Sequence, residues 1–234
     1  MADSDWANLN NELTPAEVGK DTTASLTPPN GGGTHVYAFN SLDGTVTGAA
    51  GKYCLLANFA PTLYGSWIAG ALKRLSSASL TGFSPLLYIQ ATGNDVSDNA
   101  YLLGLENADP YRIVLRKGTI IGGVPQANDG EYLRRSSQQY QISDDLWHHI
   151  AVEAVKQPNG EIYLNCWAND LSVNPVTAPV WAAIDGMTQF IDDVPGINSG
   201  SAPYGGGHCG FAFSVAEAVA VRAAFDHIQI RRQV

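Results

Sequence analysis

The chain is poor in charge and poorer still in positive charge: 13 Lys and Arg stand against 22 Asp and Glu in 234 residues, a formal net charge of −9. Nucleic-acid backbones are held by clustered Lys and Arg, so this balance argues against such a partner. The basic pairs Arg134-Arg135 and Arg231-Arg232 are too short to reverse it. Cysteine is scarce as well. Cys54, Cys166 and Cys209 are odd in number and far apart, which fits neither a disulfide framework nor a CxxC zinc site, and they read as buried thiols. No uninterrupted apolar run approaches the roughly 20 residues of a membrane helix, and the opening MADSDWANLNNELTP lacks a basic start followed by an apolar stretch. The expectation is synthesis in a cytoplasm without a signal peptide, and no membrane partner.

What is present is β-pattern. In WHHIAVEAVKQPNGEIYLNCWAN, residues 147 to 169, Ile150, Val152 and Ala154 alternate with His149, Ala151 and Glu153; Pro158, Asn159 and Gly160 break the run; Ile162, Leu164 and Cys166 resume it. This reads as one hairpin with one apolar face. The most natural register pairs Val152 with Ile162, which brings Trp147 near Trp167, His149 near Asn165 and Glu153 near Glu161; a slip of two residues would keep the faces and change the partners. Tyr101, Leu103 and Leu105 with Tyr111, Ile113 and Leu115, separated by Asn107, Asp109 and Pro110, make a second hairpin of the same design.

Further strand-like runs are His35 to Asn40, Lys52 to Asn58, Gly65 to Leu75, Pro85 to Ala91, Gly210 to Val215, Val219 to Ala224 and Phe225 to Arg231, with a helix over Ser214 to Ala224 as the minority alternative. A chain that is 45% hydrophobic and of this length can fill one core. Two hairpins need a second sheet to cover them, so the expected fold is all-β: a two-sheet antiparallel jelly-roll sandwich over residues 34 to 234. Residues 1 to 33, polar and ending in Pro28-Pro29-Asn30-Gly31-Gly32-Gly33, have the composition of an irregular N-terminal arm or linker. The turn-rich stretch from Asn169 to His208, with Trp181 and Phe190 among its prolines, is long enough to be functional or to wrap one end of the fold.

The hairpin resembles the signature of concanavalin A-like, laminin-G-like jelly rolls, in which a W-H-H-I-A-V strand is followed by a turn and a G-x-I-Y-L strand. Gly210 to Phe213 and Ala224 to Ile230 resemble that family's closing strands. Together these cover about a third of the chain. LRKGTIIGGVP at 115 to 125, VNPVTAPVW at 173 to 181 and INSGSAPYGGG at 197 to 207 resemble proteins of tailed-phage and prophage virions. That likeness implies a virion component docked to capsid or tail subunits, with the arm suited to wrapping a partner.

Four chemistries compete with structural explanations. Flat rings stack on sugars while amides and imidazoles bond hydroxyls, so Trp147, Tyr163 and Trp167 with His149 and Asn165 form a candidate site for a glycan or a protein partner. The same face can instead be covered by the 169 to 208 segment or by a neighbouring subunit. Glu153 and Glu161, if directly opposite, would have the ~5 Å carboxylate separation of retaining glycosidases. They flank a turn where charges are normally solvated, and the E-x-D-x-x-E strand of glucanase relatives is missing. Asp95, Asp98, Asn99, Asp129, Asp144, Asp145, Asp192 and Asp193 offer oxygens for Ca²⁺ but form no recognisable loop. Gly205-Gly206-Gly207 before His208 and Cys209 is neither a P-loop nor a zinc knuckle and reads as a flexible turn. Without G-x-S-x-G, and with Cys166 on the core face, nucleophilic catalysis has little support; His148 shares the core-facing parity.

The sequence reading is therefore a non-enzymatic virion structural or decoration protein without cofactor or metal, forming a homo-oligomer or symmetric array through apolar and aromatic surface. The alternative is a lectin-like adhesion module for a host-surface or environmental glycan.

Overall fold

In a computed structural model, residues 7–8, 18–21, 27–34, 36–39, 52–57, 65–75, 85–93, 98–105, 112–120, 132–137, 146–196, 198–215 and 222–232 are described. Among them there is no helix. The strands are β1 (Ala7–Asn8), β2 (Val18–Asp21), β3 (Val36–Phe39), β4 (Lys52–Ala57), β5 (Gly65–Leu75), β6 (Leu86–Ala91), β7 (Asn99–Leu105), β8 (Ile113–Thr119), β9 (Tyr132–Arg135), β10 (Trp147–Lys156), β11 (Ile162–Asn169), β12 (Trp181–Ala183), β13 (Phe190–Asp192), β14 (His208–Val215) and β15 (Arg222–Arg232). One sheet runs β1-β4-β14-β6-β7-β8-β9; the other runs β12-β11-β10-β5-β15-β3-β2, with β13 also paired to β11. All pairings are antiparallel.

The period-2 apolar sets meet between the sheets. Leu87, Ile89, Leu103, Leu115 and Phe211 from one face Ile68, Leu72, Ile150, Val152, Leu164 and Phe225 from the other in a single core. The far face of the first sheet is apolar too, with Leu86, Tyr88, Leu102, Val114 and Ala212 buried there. Burial on both faces explains why β6 reads as the unbroken run LLYIQA. Val219 to Ala224 and Phe225 to Arg231 belong to one strand, β15, as far as the described residues reach. The N-terminal region supplies edge strands, β1 beside β4 and β2 beside β3.

The 147–169 hairpin forms, but in another register. Val152 pairs with Cys166, Ala151 with Trp167, Glu153 with Asn165 and His149 with Asn169. The turn decides this. Gly160 N donates to Gln157 O at 2.9 Å, Gln157 N donates to Glu161 O at 2.8 Å, and Gly160 has φ +91°. This is a three-residue Pro-Asn-Gly loop with glycine in the left-handed position, which centres the hairpin on Asn159. Pairing Val152 with Ile162 would have centred it two residues earlier.

A bulge shapes β15. Asp226 lies opposite Ala71 and Gln229 opposite Ala69, so two residues face Gly70. His227 takes up the extra residue at φ +53°, and Ile228 drops into the core, where a Cβ on Gly70 would lie 2.3 Å from its Cδ1.

Candidate functional site

Alternation along β10, β11, β5 and β15 leaves one solvent-side face on the second sheet, and the pairings arrange it in rows. The first row is Trp181, Asn169, His149, Ala71 and Asp226; the second is Ala183, Trp167, Ala151, Ala69 and Gln229; the third is Asn165, Glu153, Trp67 and Arg231. Ala71 in the first row and Ala151 and Ala69 in the second are fully buried. The Trp181 ring stands 4.5 Å from His149 and 5.6 Å, edge-on, from Trp67, while the Arg231 guanidinium lies 4.7 Å from the Trp67 ring. Edge-to-face rings and a stacked guanidinium are favourable arrangements that hold these planes in fixed orientations.

All five residues singled out from the sequence stand on this face, but they do not make one platform. Trp147 lies beyond the end of β11, opposite Lys73, and its Nε1 donates to Thr27 O at 2.8 Å. Trp167 is four residues further along, about 13 Å away in strand rise, and Tyr163 is at the far end beside Val155. The expected Trp147–Trp167 and His149–Asn165 pairs are replaced because the Pro-Asn-Gly turn shifts every partner. Trp67 and Trp181 enter instead. Trp67 carried a signal in its strand parity with Ala69 and Ala71; Trp181 lay in a stretch with no periodicity.

The same shift removes the carboxylate pair. Glu153 faces Asn165, whose Nδ2 reaches Glu153 Oε2 at 3.4 Å, and Glu161 stays at the turn. Asn165 Oδ1 also accepts from Gln189 N at 2.8 Å, so much of this amide is engaged in holding the segment before β13. The 169–208 segment extends this sheet at the β11 edge as β12 and β13.

His149 is the most confined polar group of the face, 1 % exposed. Val180 N donates to Asn169 Oδ1 at 3.0 Å, which fixes the amide so that Asn169 Nδ2 points to His149 Nδ1 at 3.1 Å. Nδ1 therefore accepts, and the ring proton sits on Nε2, a buried atom with no hydrogen-bond partner. Burial, and secondarily the nearby His227, push the imidazole down to about 4, so it is neutral at pH 7. Across Ala71, Asp226 Oδ1 accepts from His227 N at 2.7 Å while Oδ2 is buried without a partner. Burial raises this carboxyl, against a smaller opposing pull from His227.

A second polar cluster lies between the sheets. Lys117 pairs with Asp192 at 2.6 Å and also donates to Ser199 Oγ, Ser201 O and Ala202 O. The Tyr101 and Ser199 hydroxyls donate to the two Asp192 oxygens. Every donor of the ammonium is matched, so the network pins β13 and residues 199–204 to β7 and β8 rather than offering a reactive group. This accounts for Asp192, a Ca²⁺ candidate. Asp193 Oδ1 accepts from Asn198 N and Asp98 Oδ1 from Thr92 Oγ1; Asn99 opens β7. Asp95, Asp129, Asp144 and Asp145 lie outside the described residues. Among the described residues no three His, Cys, Asp or Glu side chains are grouped to hold a metal ion.

Cys166 and Cys209 are buried and in no disulfide, and desolvation pushes the Cys166 thiol far up; the Cys54 side chain lies outside the described residues. His148 is half-buried at the strand end. The triple glycine is not simply a flexible turn, because a Cβ on Gly206 would lie 1.9 Å from the Ala91 carbonyl oxygen: the chain passes against β6 where no side chain fits.

Two antiparallel sheets in this order, packed through alternating strands, define a jelly-roll sandwich of the concanavalin A-like type. Solved structures agree. "Cellulose induced protein, Cip1" superposes with a TM-score of 0.58 at 13% identity, over 100% of this chain and 94% of that one. An endo-β-1,4-glucuronan lyase from Trichoderma reesei gives 0.51 at 9% identity over 97% and 94% of the two chains. A carbohydrate esterase of the Shiga toxin-encoding bacteriophage phi24B gives 0.50 at 11% over 98% and 90%, and the VIP36 exoplasmic/lumenal domain in its Ca²⁺/Man-bound form gives 0.51 at 12% over 98% and 84%. No protein-family model and no curated protein sequence matches the chain. These likenesses overturn the expectation of a non-enzymatic protein. A lyase and an esterase stand among the structures of this architecture, so a missing glucanase strand excludes one chemistry and not catalysis as a whole, which resides in sites and not in folds.

Proposed function

We propose that the chain handles carbohydrate, binding a saccharide chain along the outer face of β11, β10, β5 and β15. The observation that carries this reading is the row structure: half-buried Trp167 and Trp181 stand in adjacent rows that also hold the small, buried Ala71, Ala151 and Ala69, with Glu153, Gln229 and Arg231 on the same face. Flat apolar rings interleaved with hydrogen-bonding groups match the two surfaces of a pyranose, and the pleat spaces them along a line as an extended polymer requires. Carbohydrate is also what the named lyase, esterase and Man-bound domain act on or hold.

The test is retention of the purified protein on a panel of neutral and acidic polysaccharides, followed by assay of the same mixtures for new reducing ends, unsaturated products and released acyl groups. Wild type is expected to bind at least one polymer, and Trp167→Ala and Trp181→Ala to weaken it about tenfold, the equivalent of one lost ring contact. Retention of wild type by none of them, or full retention by both variants, would overturn the reading.

We infer a virion as the setting, with the protein repeated in a symmetric array. The stretches at 115–125, 173–181 and 197–207 support this, and so does the architecture shared with a phage esterase. Mass spectrometry of purified particles from a host carrying the gene tests it; absence of the protein from them refutes it.

A further inference from the structure

Residues 27–34 form a strap on the second sheet. Thr27 O accepts from Trp147 Nε1, Asn30 Nδ2 donates to Leu171 O at 3.2 Å, and Asn30 O accepts from Val176 N at 2.9 Å. Within the strap, Gly32 N donates to Pro29 O at 2.7 Å and Gly31 has φ +76°, a tight turn with glycine in the left-handed position. A Cβ on Gly31 would lie 2.5 Å from that of Pro175. The strap is thus latched to the 170–178 segment through Asn30 and Gly31, and both residues are exposed.

Asparagine followed by glycine is chemically special. With no Cβ to shield it, the glycine nitrogen can reach the asparagine side-chain carbonyl carbon and close a ring. The pair occurs twice in the chain, at Asn30-Gly31 and Asn159-Gly160, and the fold treats the two differently. In the hairpin loop Gly160 N donates to Gln157 O at 2.9 Å and Asn159 Oδ1 accepts from Glu161 N at 3.2 Å, so both groups that would have to meet are held. In the strap Gly31 N makes no hydrogen bond among the described residues, and only the amino end of the Asn30 amide is engaged. A short strap held by single bonds also opens more readily than a hairpin built into a sheet.

We propose that Asn30-Gly31 is a self-modification site, at which Asn30 deamidates in the folded protein and so unlatches residues 27–34 from the 170–178 segment. Gly31 N attacks Asn30 Cγ; the N–Cγ bond forms, the Cγ–Nδ2 bond breaks, and Nδ2 leaves as ammonia with the proton that Gly31 N gives up. Water then opens the cyclic imide at either carbonyl, leaving aspartate or isoaspartate at position 30. Water is the only co-reactant. The donor that faced Leu171 O is replaced by carboxylate oxygens, so two acceptors meet where a hydrogen bond stood. Isoaspartate also adds a methylene to the backbone just before Gly31, which has no room to shift against Pro175.

The full-length protein is aged in mildly alkaline buffer, native and in urea, and mapped by mass spectrometry that separates asparagine, aspartate and isoaspartate. In urea the two asparagines serve as each other's reference, since both precede glycine and neither is held. In the native protein Asn30 is expected to convert about tenfold faster than Asn159 relative to that reference, the equivalent of the hydrogen bond that Gly160 N must first give up. Equal or reversed native rates, or an intact native Asn30 once the urea sample has converted, would overturn the site. Unlatching is read from hydrogen exchange of the Val176 amide, which donates to Asn30 O. It should speed up about tenfold in aged wild type and in fresh Asn30→Asp, and be unchanged by ageing in Asn30→Gln, whose longer side chain closes the ring far more slowly. Unaltered Val176 exchange in aged wild type, or the same acceleration on ageing Asn30→Gln, would overturn the unlatching. Neither measurement depends on saccharide binding.

Discussion

Acidification should destabilise this protein through one buried imidazole. In the fold, desolvation and His227 hold His149 down to about 4, against 6.5 for the ordinary side chain. A histidine buried in its neutral form must take up a proton on unfolding at acidic pH. The unfolded chain then binds more protons than the native one, and stability falls as the pH falls. His149 contributes fully above about pH 6.5, loses about 2 kcal/mol by pH 5 and about 3 kcal/mol by pH 4. For a chain of this size, 2 kcal/mol corresponds to a fall in Tm of about 4–8 °C. The assay is urea unfolding of wild type and His149→Gln at pH 7, 6, 5 and 4. Asp226, whose carboxyl is raised by burial, works in the opposite direction, but it is common to both proteins, so the difference between them isolates His149. The stability advantage of wild type should shrink by about 2 kcal/mol between pH 7 and pH 5. Parallel pH profiles for the two proteins would refute the assignment of a neutral, desolvated imidazole.

Three further outcomes follow from the packing. Lys117→Met strands the fully buried Asp192 carboxylate and should cost about 3–5 kcal/mol in denaturant unfolding at pH 7, with partial recovery in the Lys117→Met/Asp192→Leu double variant. Gly206→Ala forces a Cβ against the Ala91 carbonyl and should cost about 1–3 kcal/mol or more. Gly200→Ala, with φ +77° but nothing within 4 Å, should cost only about 1 kcal/mol of backbone strain, so thermal melts that rank the two the other way contradict the close approach. Native Cys166 and Cys209 should react with a thiol reagent only as fast as the protein opens, and at once in guanidinium; rapid labelling of Cys166 in native buffer would show that it is not buried.

Strand existence and facing were legible because they are local. Gly65 to Leu75 is bounded in the structure as it is in the sequence, and Ile150, Val152, Ala154, Ile162, Leu164 and Cys166 all face the core that their alternation assigns. A side chain's parity along its own strand depends on nothing farther than the next residue. The strands β9, β12 and β13 escaped because they are only three or four residues long and are held by the edges they pair with, not by a rhythm of their own.

Register and neighbourhood were decided elsewhere. Pro158, Asn159 and Gly160 did specify the turn that sets the hairpin, but only its hydrogen-bonded geometry showed that it closes on Asn159 and carries Trp147 away from Trp167. That β5 lies beside β10, and β15 beside β5, is a long-range choice, and it alone brings Trp67, His227 and Asp226 to the face that His149 occupies. Spacing along the backbone was enough to make the chain all-β and to say which side of each ribbon is apolar. What lies opposite what, and so which imidazole loses its water and which indoles come to one face, was set by the packing of the sheets, because desolvation and ring contact depend on residues distant in the chain.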